Sequence, residues 1–83
     1  MTDAVEVHLF AAARAAAGTS NISCPSGTLE EITSALVRQF PDLAGVLPRC
    51  SYLVDEVAVH GDPAEIRLAP GSRLDVLPPF AGG

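Results

Sequence analysis

A single amphipathic helix between two groups of short strand patterns is the feature that most constrains this fold. Thr28 can cap the first turn of that helix, and Glu31 can return the bond as a capping box. An apolar stripe follows at helical spacing, formed by Leu29, Ile32, Leu36 and Phe40. Pro41 ends the pattern, because a proline disfavours helical backbone at the residue before it. One such stripe can cover only one face of a sheet.

Two strand patterns precede this helix. Residues 5–9 alternate between apolar and polar side chains, and residues 21–24 form a second short strand. The alanine-rich run 11–17 between them has high helix propensity, and Gly18 suits the position after a helix end. The pattern therefore predicts strand, short helix, strand.

Further strand patterns follow the helix and a connection over residues 44–49. They cover residues 52–54, 57–59 and 74–77. Asp55-Glu56 is compatible with a tight turn or a kink, and residues 69–72 with a turn. Asp62-Pro63 can start a helical turn, whereas residues 64–68 are ambiguous between a short helix and a loop.

This order of elements predicts an α+β protein with the β-grasp fold, in which a mixed sheet wraps one main helix. The last strand would lie beside the first. We expect one domain over residues 1–77 and an extended tail over residues 78–83. The other face of the sheet would stay uncovered, because only one helix is available to cover it.

Three apolar residues are predicted to lie on that uncovered face. By strict alternation Phe10 shares the face of Glu6 and His8, and Leu77 shares the polar face of the last strand. If those two strands are neighbours, Phe10 and Leu77 approach one another, with Ala58 as a third candidate. Such a patch is typical of a docking surface, although single exposed apolar residues are common and carry no function.

Composition excludes several classes of function. The 83 residues carry a net charge of −5, and all five basic residues are arginines. Sequence-independent binding of nucleic acid is therefore not expected. No apolar run is long enough to span a membrane and no signal peptide is evident, so we expect a cytoplasmic protein. Without lysine, the chain cannot form a polymer of itself through ε-amines.

The cysteines and histidines show no spacing typical of a metal site. Cys24 and Cys50 are 26 positions apart, and His8 and His60 are isolated. We interpret the cysteines as ordinary, partly buried thiols, with a structural disulfide or a sulfur-relay role as open alternatives. No metal and no bound cofactor are expected.

The ending of the sequence is the strongest candidate site. Pro78 and Pro79 lack a backbone N–H and fix φ, so the chain should leave the sheet in an extended or polyproline-like form. After Phe80 and Ala81, the pair Gly82-Gly83 has no side chains. These glycines could enter a slot too narrow for other residues and present an α-carboxylate at its far end.

Two segments carry a resemblance to a known family. The strand VHLFA of residues 7–11 leading into AAR, and above all the ending VLPPFAGG of residues 76–83, resemble the MoaD type of ubiquitin-like sulfur carrier. That protein is the small subunit of molybdopterin synthase, within the MoaD/ThiS family. The resemblance covers the whole chain in length and element order, and its specificity lies in the last eight residues.

The resemblance implies a sulfur carrier without an active site of its own. In that family an E1-like adenylyltransferase of the MoeB type uses ATP to adenylate the terminal glycine. A sulfur donor protein then converts it to a thiocarboxylate. The tail enters the large, MoaE-type subunit, where its sulfur builds the dithiolene of molybdopterin, in a heterotetramer of two small and two large subunits.

Residue by residue, the resemblance implies that Gly83 carries the reactive carbonyl. Gly82, which has no side chain, would let the terminus enter a narrow channel. Phe10 and Leu77 match apolar positions that contact the large subunit and the activating enzyme, and Arg14 matches a basic position after the first strand. Phe80 departs from the small aliphatic residue usual in the family. Asp55-Glu56 departs from the usual Asn-Gly-type turn.

Two rival readings stay open. The first is a carrier with the same tail chemistry that serves thiamin or cysteine synthesis, or a modifier joined to target lysines. The proline pair favours the molybdopterin pathway, because thiamin-type carriers usually approach their glycines without it. The second is a non-reactive interaction domain whose glycines are merely a frayed end.

Overall fold

The computed structural model describes residues 4–79 of this protein. It contains two α-helices, α1 (Ala11–Ala17) and α2 (Leu29–Gln39). The seven strands are β1 (Ala4–Leu9), β2 (Asn21–Pro25), β3 (Gly27–Thr28), β4 (Ser51–Val54), β5 (Val57–Ala58), β6 (Arg67–Leu68) and β7 (Arg73–Leu77). Both predicted helices are confirmed, as are the strands around them.

The main sheet has five strands in the order β2, β1, β7, β4, β5. β7 lies in the middle, parallel to β1 and antiparallel to β4, whereas the β1–β2 and β4–β5 pairs are antiparallel. The last strand therefore lies beside the first, as predicted. This is the β-grasp arrangement, a mixed sheet around one main helix.

The hydrophobic core lies between one face of this sheet and α2. Leu36 of α2, Leu74 of β7 and Leu43 of the following segment have no exposed surface. The predicted apolar stripe of α2 is buried except at Phe40, which is half-buried and packs against the edge of the core. Because the core takes up only one side of the sheet, the outward side chains of β1, β7 and β4 are free to form a separate surface.

The start of α2 shows the predicted capping box. The backbone N–H of Glu31 donates to Thr28 Oγ1 at 3.1 Å, and the backbone N–H of Thr28 donates to Glu31 Oε1 at 2.8 Å. Gly27 makes room for that carboxylate, since a Cβ at this position would come within 2.6 Å of Glu31 Oε1. A side chain at position 27 would therefore push the Glu31 carboxylate out of its capping position.

Glu31 should contribute to the acid sensitivity of folding. The hydrogen bonds from Thr28, first the backbone and then the hydroxyl, hold the pKa of the Glu31 carboxyl below its ordinary value. A carboxyl whose pKa is lower in the folded state stabilises the fold at pH values above its unfolded pKa, about 4.3. That stabilisation is lost as the pH falls through the folded pKa.

We expect Glu31→Gln to lose less stability than the wild type between pH 7 and pH 3, because a neutral amide oxygen accepts at every pH. Thermal unfolding across this range is the measurement. Glu30→Gln is the matched control, since Glu30 occupies the same helical turn and is exposed. Identical pH profiles for Glu31→Gln and the wild type would contradict this account of the cap.

The turn at Asp55-Glu56 is a tight two-residue hairpin. Both residues have positive φ, 48° and 70°, as in the type I′ turns that join antiparallel strands. Asp55 also contacts the start of β7: its carboxylate accepts from the Arg73 N–H at 2.9 Å, and its own N–H donates to the Arg73 carbonyl at 2.9 Å. This pairing holds a turn that would otherwise favour Asn-Gly.

Two features were not predicted from the sequence. The connection after α2 consists of 3-10 turns over Pro41–Gly45 and Leu47–Arg49, which bury Leu43 and Leu47. The ambiguous segment 64–68 ends in β6, which pairs with β3 as a two-stranded sheet. The predicted helical turn at Asp62-Pro63 is present, with the Asp62 carboxylate accepting from the Ala64 N–H at 2.9 Å.

Candidate interaction site at the root of the tail

The tail leaves the sheet from its central strand. β7 ends at Leu77, and Pro78 and Pro79 follow as exposed residues outside any strand. Since β1 runs parallel to β7, both strands finish at the same end of the sheet. The residues after β1 are therefore brought to the point where the tail begins.

Phe10 and Leu77 lie next to each other at this point. Leu9 is paired with Val76, and the Phe10 N–H donates to the Val76 carbonyl at 3.1 Å, which extends the ladder by one step. Phe10 has extended backbone and is 37% exposed, whereas Leu77 is half-buried. We call these two residues the tail-root patch.

The chain turns sharply after Phe10. Ala11, the first residue of α1, has φ of +52°, in the left-handed region that is rare for any residue with a Cβ. The strain costs on the order of 1 kcal/mol. It lets a helix begin directly at the end of β1, so that Phe10 stays at the end of the sheet instead of continuing along a strand.

Ala58 lies on the same face of the sheet but apart from the tail-root patch. It is paired with Leu53, and Leu53 is paired with Asp75 of β7, whereas Leu77 is paired with Ser51. β4 thus separates Ala58 from β7. The predicted patch of three neighbours is therefore two neighbours, with Ala58 exposed on the edge strand.

Arg14 is exposed on α1, one helical turn after Phe10. Its backbone N–H donates to the Phe10 carbonyl at 3.5 Å, and Arg14 borders a hollow together with Gly18 and Thr19. Arg14 is therefore close to the tail-root patch in sequence, but it does not line the hollows that Pro79 borders.

A concave site of about 340 Å³ lies beside the tail root. Its lining comes from three segments: Phe10 and the first residues of α1, the residues Gly45, Val46, Arg49 and Cys50, and the proline pair Pro78 and Pro79. A second hollow is bordered by Arg49, Cys50, His60 and Pro79. The connection after α2, which carried no signal in the sequence, thus supplies much of the surface around the root.

Asp75 is a charged residue buried on the face that points away from α2. Its side chain is 8% exposed, and Arg73 Nε donates to its carboxylate at 2.7 Å. This bond is the main cause of a raised pKa at Arg73. Asp75 lies between His8 and Leu53 in the sheet. Two opposite charges two positions apart on one strand were the available signal for this pair.

Both cysteines are free thiols. Cys24 is buried in the core, and the Cys50 thiol donates to the Val46 carbonyl at 3.3 Å. Burial raises the pKa of each thiol. Neither environment promotes the thiolate, the form in which cysteine acts as a nucleophile. The structure thus agrees with ordinary thiols and shows no disulfide.

The remaining predicted site residues, Phe80, Ala81, Gly82 and Gly83, lie outside the described part of the chain. Within residues 4–79 no cluster of His, Cys, Asp or Glu side chains could hold a metal ion. No helix in the same range is long and apolar enough to cross a membrane.

Three solved structures show the same fold. Small archaeal modifier protein 1 from Methanosarcina acetivorans matches with a TM-score of 0.82 and 23% identity, over 100% of this chain and 99% of that one. The Haloferax volcanii HVO 2177 protein matches at 0.79 and 28%, over 99% and 88%. The complex of subunits 1 and 2 of molybdopterin-converting factor from Helicobacter pylori 26695 contains a chain that matches at 0.68 and 21%, over 96% and 99%.

The sequence itself identifies the family. No curated protein matches it significantly. The model of the ThiS family, however, matches residues 7–83, which include the second half of β1 and the Gly-Gly ending. Together with the β-grasp sheet and the position of the tail beside β1, this match shows that the chain belongs to the ThiS family.

Proposed function

We propose that this protein is a sulfur carrier that donates the sulfur of the molybdopterin dithiolene, as the small subunit of molybdopterin synthase. Gly83 would be adenylated by an E1-like enzyme of the MoeB type with ATP, and a sulfur donor protein would convert it to a thiocarboxylate. The protein would work in the cytoplasm, where ATP is supplied, in a heterotetramer with the large, MoaE-type subunit.

The observation that carries this proposal is the position of the Leu-Pro-Pro segment. It leaves the central strand beside Phe10, and the family match continues from there through Gly83. A subunit 1 of molybdopterin-converting factor with the same fold has been solved together with subunit 2. A tail that starts next to an apolar patch allows one partner to hold the domain and receive the terminus together.

The chemistry assigns catalysis to the partners. A carboxylate is a poor electrophile, and joining it to AMP gives a mixed anhydride with a good leaving group. The sulfur donor can then replace AMP, which leaves a thiocarboxylate whose sulfur is nucleophilic, as a thiolate is. Of the groups beside the tail root, the Cys50 thiol has a pKa raised by burial, which disfavours the thiolate. We assign the acid, the base and the oxyanion contacts to the partners.

The pathway is tested by reconstitution. The thiocarboxylate form of this protein is mixed with a molybdopterin synthase large subunit and its precursor, and molybdopterin is measured after oxidation to its fluorescent derivative. The unmodified carboxylate form is the control. Molybdopterin from the thiocarboxylate form alone supports the proposal, and no product with a large subunit that is active with its own carrier would overturn it.

A protein modifier is the second candidate. The matched proteins from Methanosarcina acetivorans and Haloferax volcanii include small archaeal modifier proteins, although identities of 22–23% to these establish the fold alone. A carrier for thiamin or cysteine synthesis would share the same tail chemistry. Isopeptide bonds between Gly83 and lysines of other proteins, together with a negative reconstitution, would favour the modifier.

A further inference from the structure

We propose that a hollow on the helix side of this protein is a second docking site. It would bind a segment of another protein in which a bulky apolar side chain stands next to a lysine or arginine. The hollow has a volume of about 550 Å³ and lies between α2, the connection after it and β4. Neither Phe10 nor Leu77 lines it. The inference goes beyond the proposed function and does not depend on it.

Most of the lining of this hollow is apolar. Leu29 and Leu47 are buried, whereas Ala44, Pro48 and Pro63 are exposed, so the hollow is open to solvent. Its volume falls within the range of about 300–1,000 Å³ that is typical of ligand sites. An apolar side chain that enters it would remove apolar surface of both molecules from water.

The polar groups in the lining are mostly bonded within the chain already. Thr33 Oγ1 donates to the Leu29 carbonyl at 2.9 Å, and the Tyr52 hydroxyl donates to the Leu47 carbonyl at 2.9 Å. Of the three hydroxyl groups that the described residues contribute to the hollow, only that of Ser34 stays available. A polar ligand would lose its hydrogen bonds to water and find few replacements, so the lining favours an apolar group.

Glu30 places a negative charge beside the hollow. It follows Leu29 and precedes Ser34 by four residues, so it lies on the same side of α2 as these two lining residues. Its side chain is exposed and forms no ion pair with another described residue. This carboxylate is therefore free to meet a cation of a partner.

Two more acidic residues lie near the start of α2. Asp62 directly precedes Pro63, which lines the hollow. The Leu29 N–H donates to the Ile66 carbonyl at 2.7 Å, which brings the neighbouring Glu65 to this end of the helix. Glu65 is exposed and, like Glu30, has no ion-pair partner among the described residues. An apolar hollow beside several acidic side chains is complementary to an apolar side chain that has a basic neighbour.

The basic residues nearby reduce this negative charge without cancelling it. Arg38 lies four residues after Ser34, at the far end of α2, and Arg49 follows Pro48. Arg67 pairs with Thr28, and its charge helps to lower the pKa of Glu31. The cation of the partner should therefore lie near the start of α2. A second copy of this chain is a poor occupant, because two chains of net charge −5 repel each other.

The test uses capped dipeptides as probes of this chemistry. The isotope-labelled full chain is titrated with Phe-Lys, Phe-Gln, Phe-Glu and Ala-Lys, each acetylated and amidated, and NMR chemical shifts are followed. We expect saturable shifts at residues that line the hollow, with Phe-Lys bound about fivefold more tightly than Phe-Glu, since exposed ion pairs are weak. Ala-Lys should not bind. Added salt, about 0.5 M, should reduce the difference between Phe-Lys and Phe-Gln.

Charge reversal locates the cation. Glu30→Lys should weaken binding of Phe-Lys about fivefold and leave that of Phe-Gln unchanged. Glu6→Lys is the matched control, because Glu6 is exposed on the sheet face that points away from α2. Thermal unfolding of both variants verifies the fold.

Three results would overturn the inference: equal affinity for the three phenylalanine dipeptides, equal losses in the two variants, or shifts confined to residues outside the hollow. Shifts at the hollow that depend on protein concentration alone would also overturn it, since they would identify a second copy as the occupant. The unmodified carboxylate form is used without an activating enzyme. The outcome is thus independent of whether Gly83 can be activated.

Discussion

Removing Gly83 is expected to abolish activation of the carrier while leaving the folded domain intact. The shortened chain would end at Gly82, so its carboxylate would stop one residue, or about 3.5 Å, short of the position where the partner performs chemistry. Losses on the order of 100-fold follow from misplacement by even about 1 Å. Pyrophosphate exchange by the activating enzyme is the measurement.

Stability and partner binding serve as the controls for this deletion. The described core lies entirely within residues 5–76, and chain termini in general contribute little packing, so we expect the melting temperature to change by less than about 2 °C. Binding to the large subunit through the tail-root patch should largely persist. A large drop in melting temperature would show that the terminus is structural, and normal activation would show that Gly83 is not the reactive residue.

Phe10→Ala should weaken binding of the large subunit by about 30-fold, corresponding to about 2 kcal/mol for a central aromatic contact. The ring is 37% exposed in the free protein and lies beside Leu77, at the point where the tail leaves. Burying it against a partner removes apolar surface from water next to the inserted tail. Titration calorimetry with the wild type and the variant measures the loss.

Val57→Ala is the matched control, because Val57 is the other large apolar residue exposed in the described chain, at 66%. Val57 lies on the edge strand β5 and pairs with Val54 of β4. Since successive side chains of a strand point to opposite faces, Val57 projects from the face opposite that of Ala58. We expect its binding to match the wild type. Equal losses of affinity in the two variants would mean that the partner does not bind the tail-root patch. An unchanged affinity of Phe10→Ala would lead to the same conclusion.

The elements with strong local signals could be predicted from the sequence. Thr28 and Glu31 are the residue types of a capping box at the start of α2, and the apolar stripe of this helix has helical spacing. Both the capping box and the buried face of the helix could therefore be predicted. The two-residue strands β3 and β6 could not be found, because no periodicity exists over two residues. Their pairing depends on Arg67 meeting Thr28, a contact made only after the chain has folded.

The candidate site was predictable only in part. Phe10 and Leu77 were identified because a β-grasp sheet places the first and last strands side by side. Arg49 and Cys50 were missed as neighbours of the tail, since they lie at the end of a 3-10 turn whose position is set by tertiary packing. Leu53 was missed on the outer face because the run from Tyr52 to Val54 is apolar throughout and shows no alternation.

The intact mass of the protein tests the central claim most directly. The wild type is incubated with ATP, a sulfide source and its activating enzyme, with omission of ATP as the control. We expect a mass increase that corresponds to one oxygen replaced by sulfur, located at Gly83 by fragmentation. An unchanged mass under saturating conditions, with an enzyme that is active on its known carrier, would contradict the assignment of this protein as a sulfur carrier.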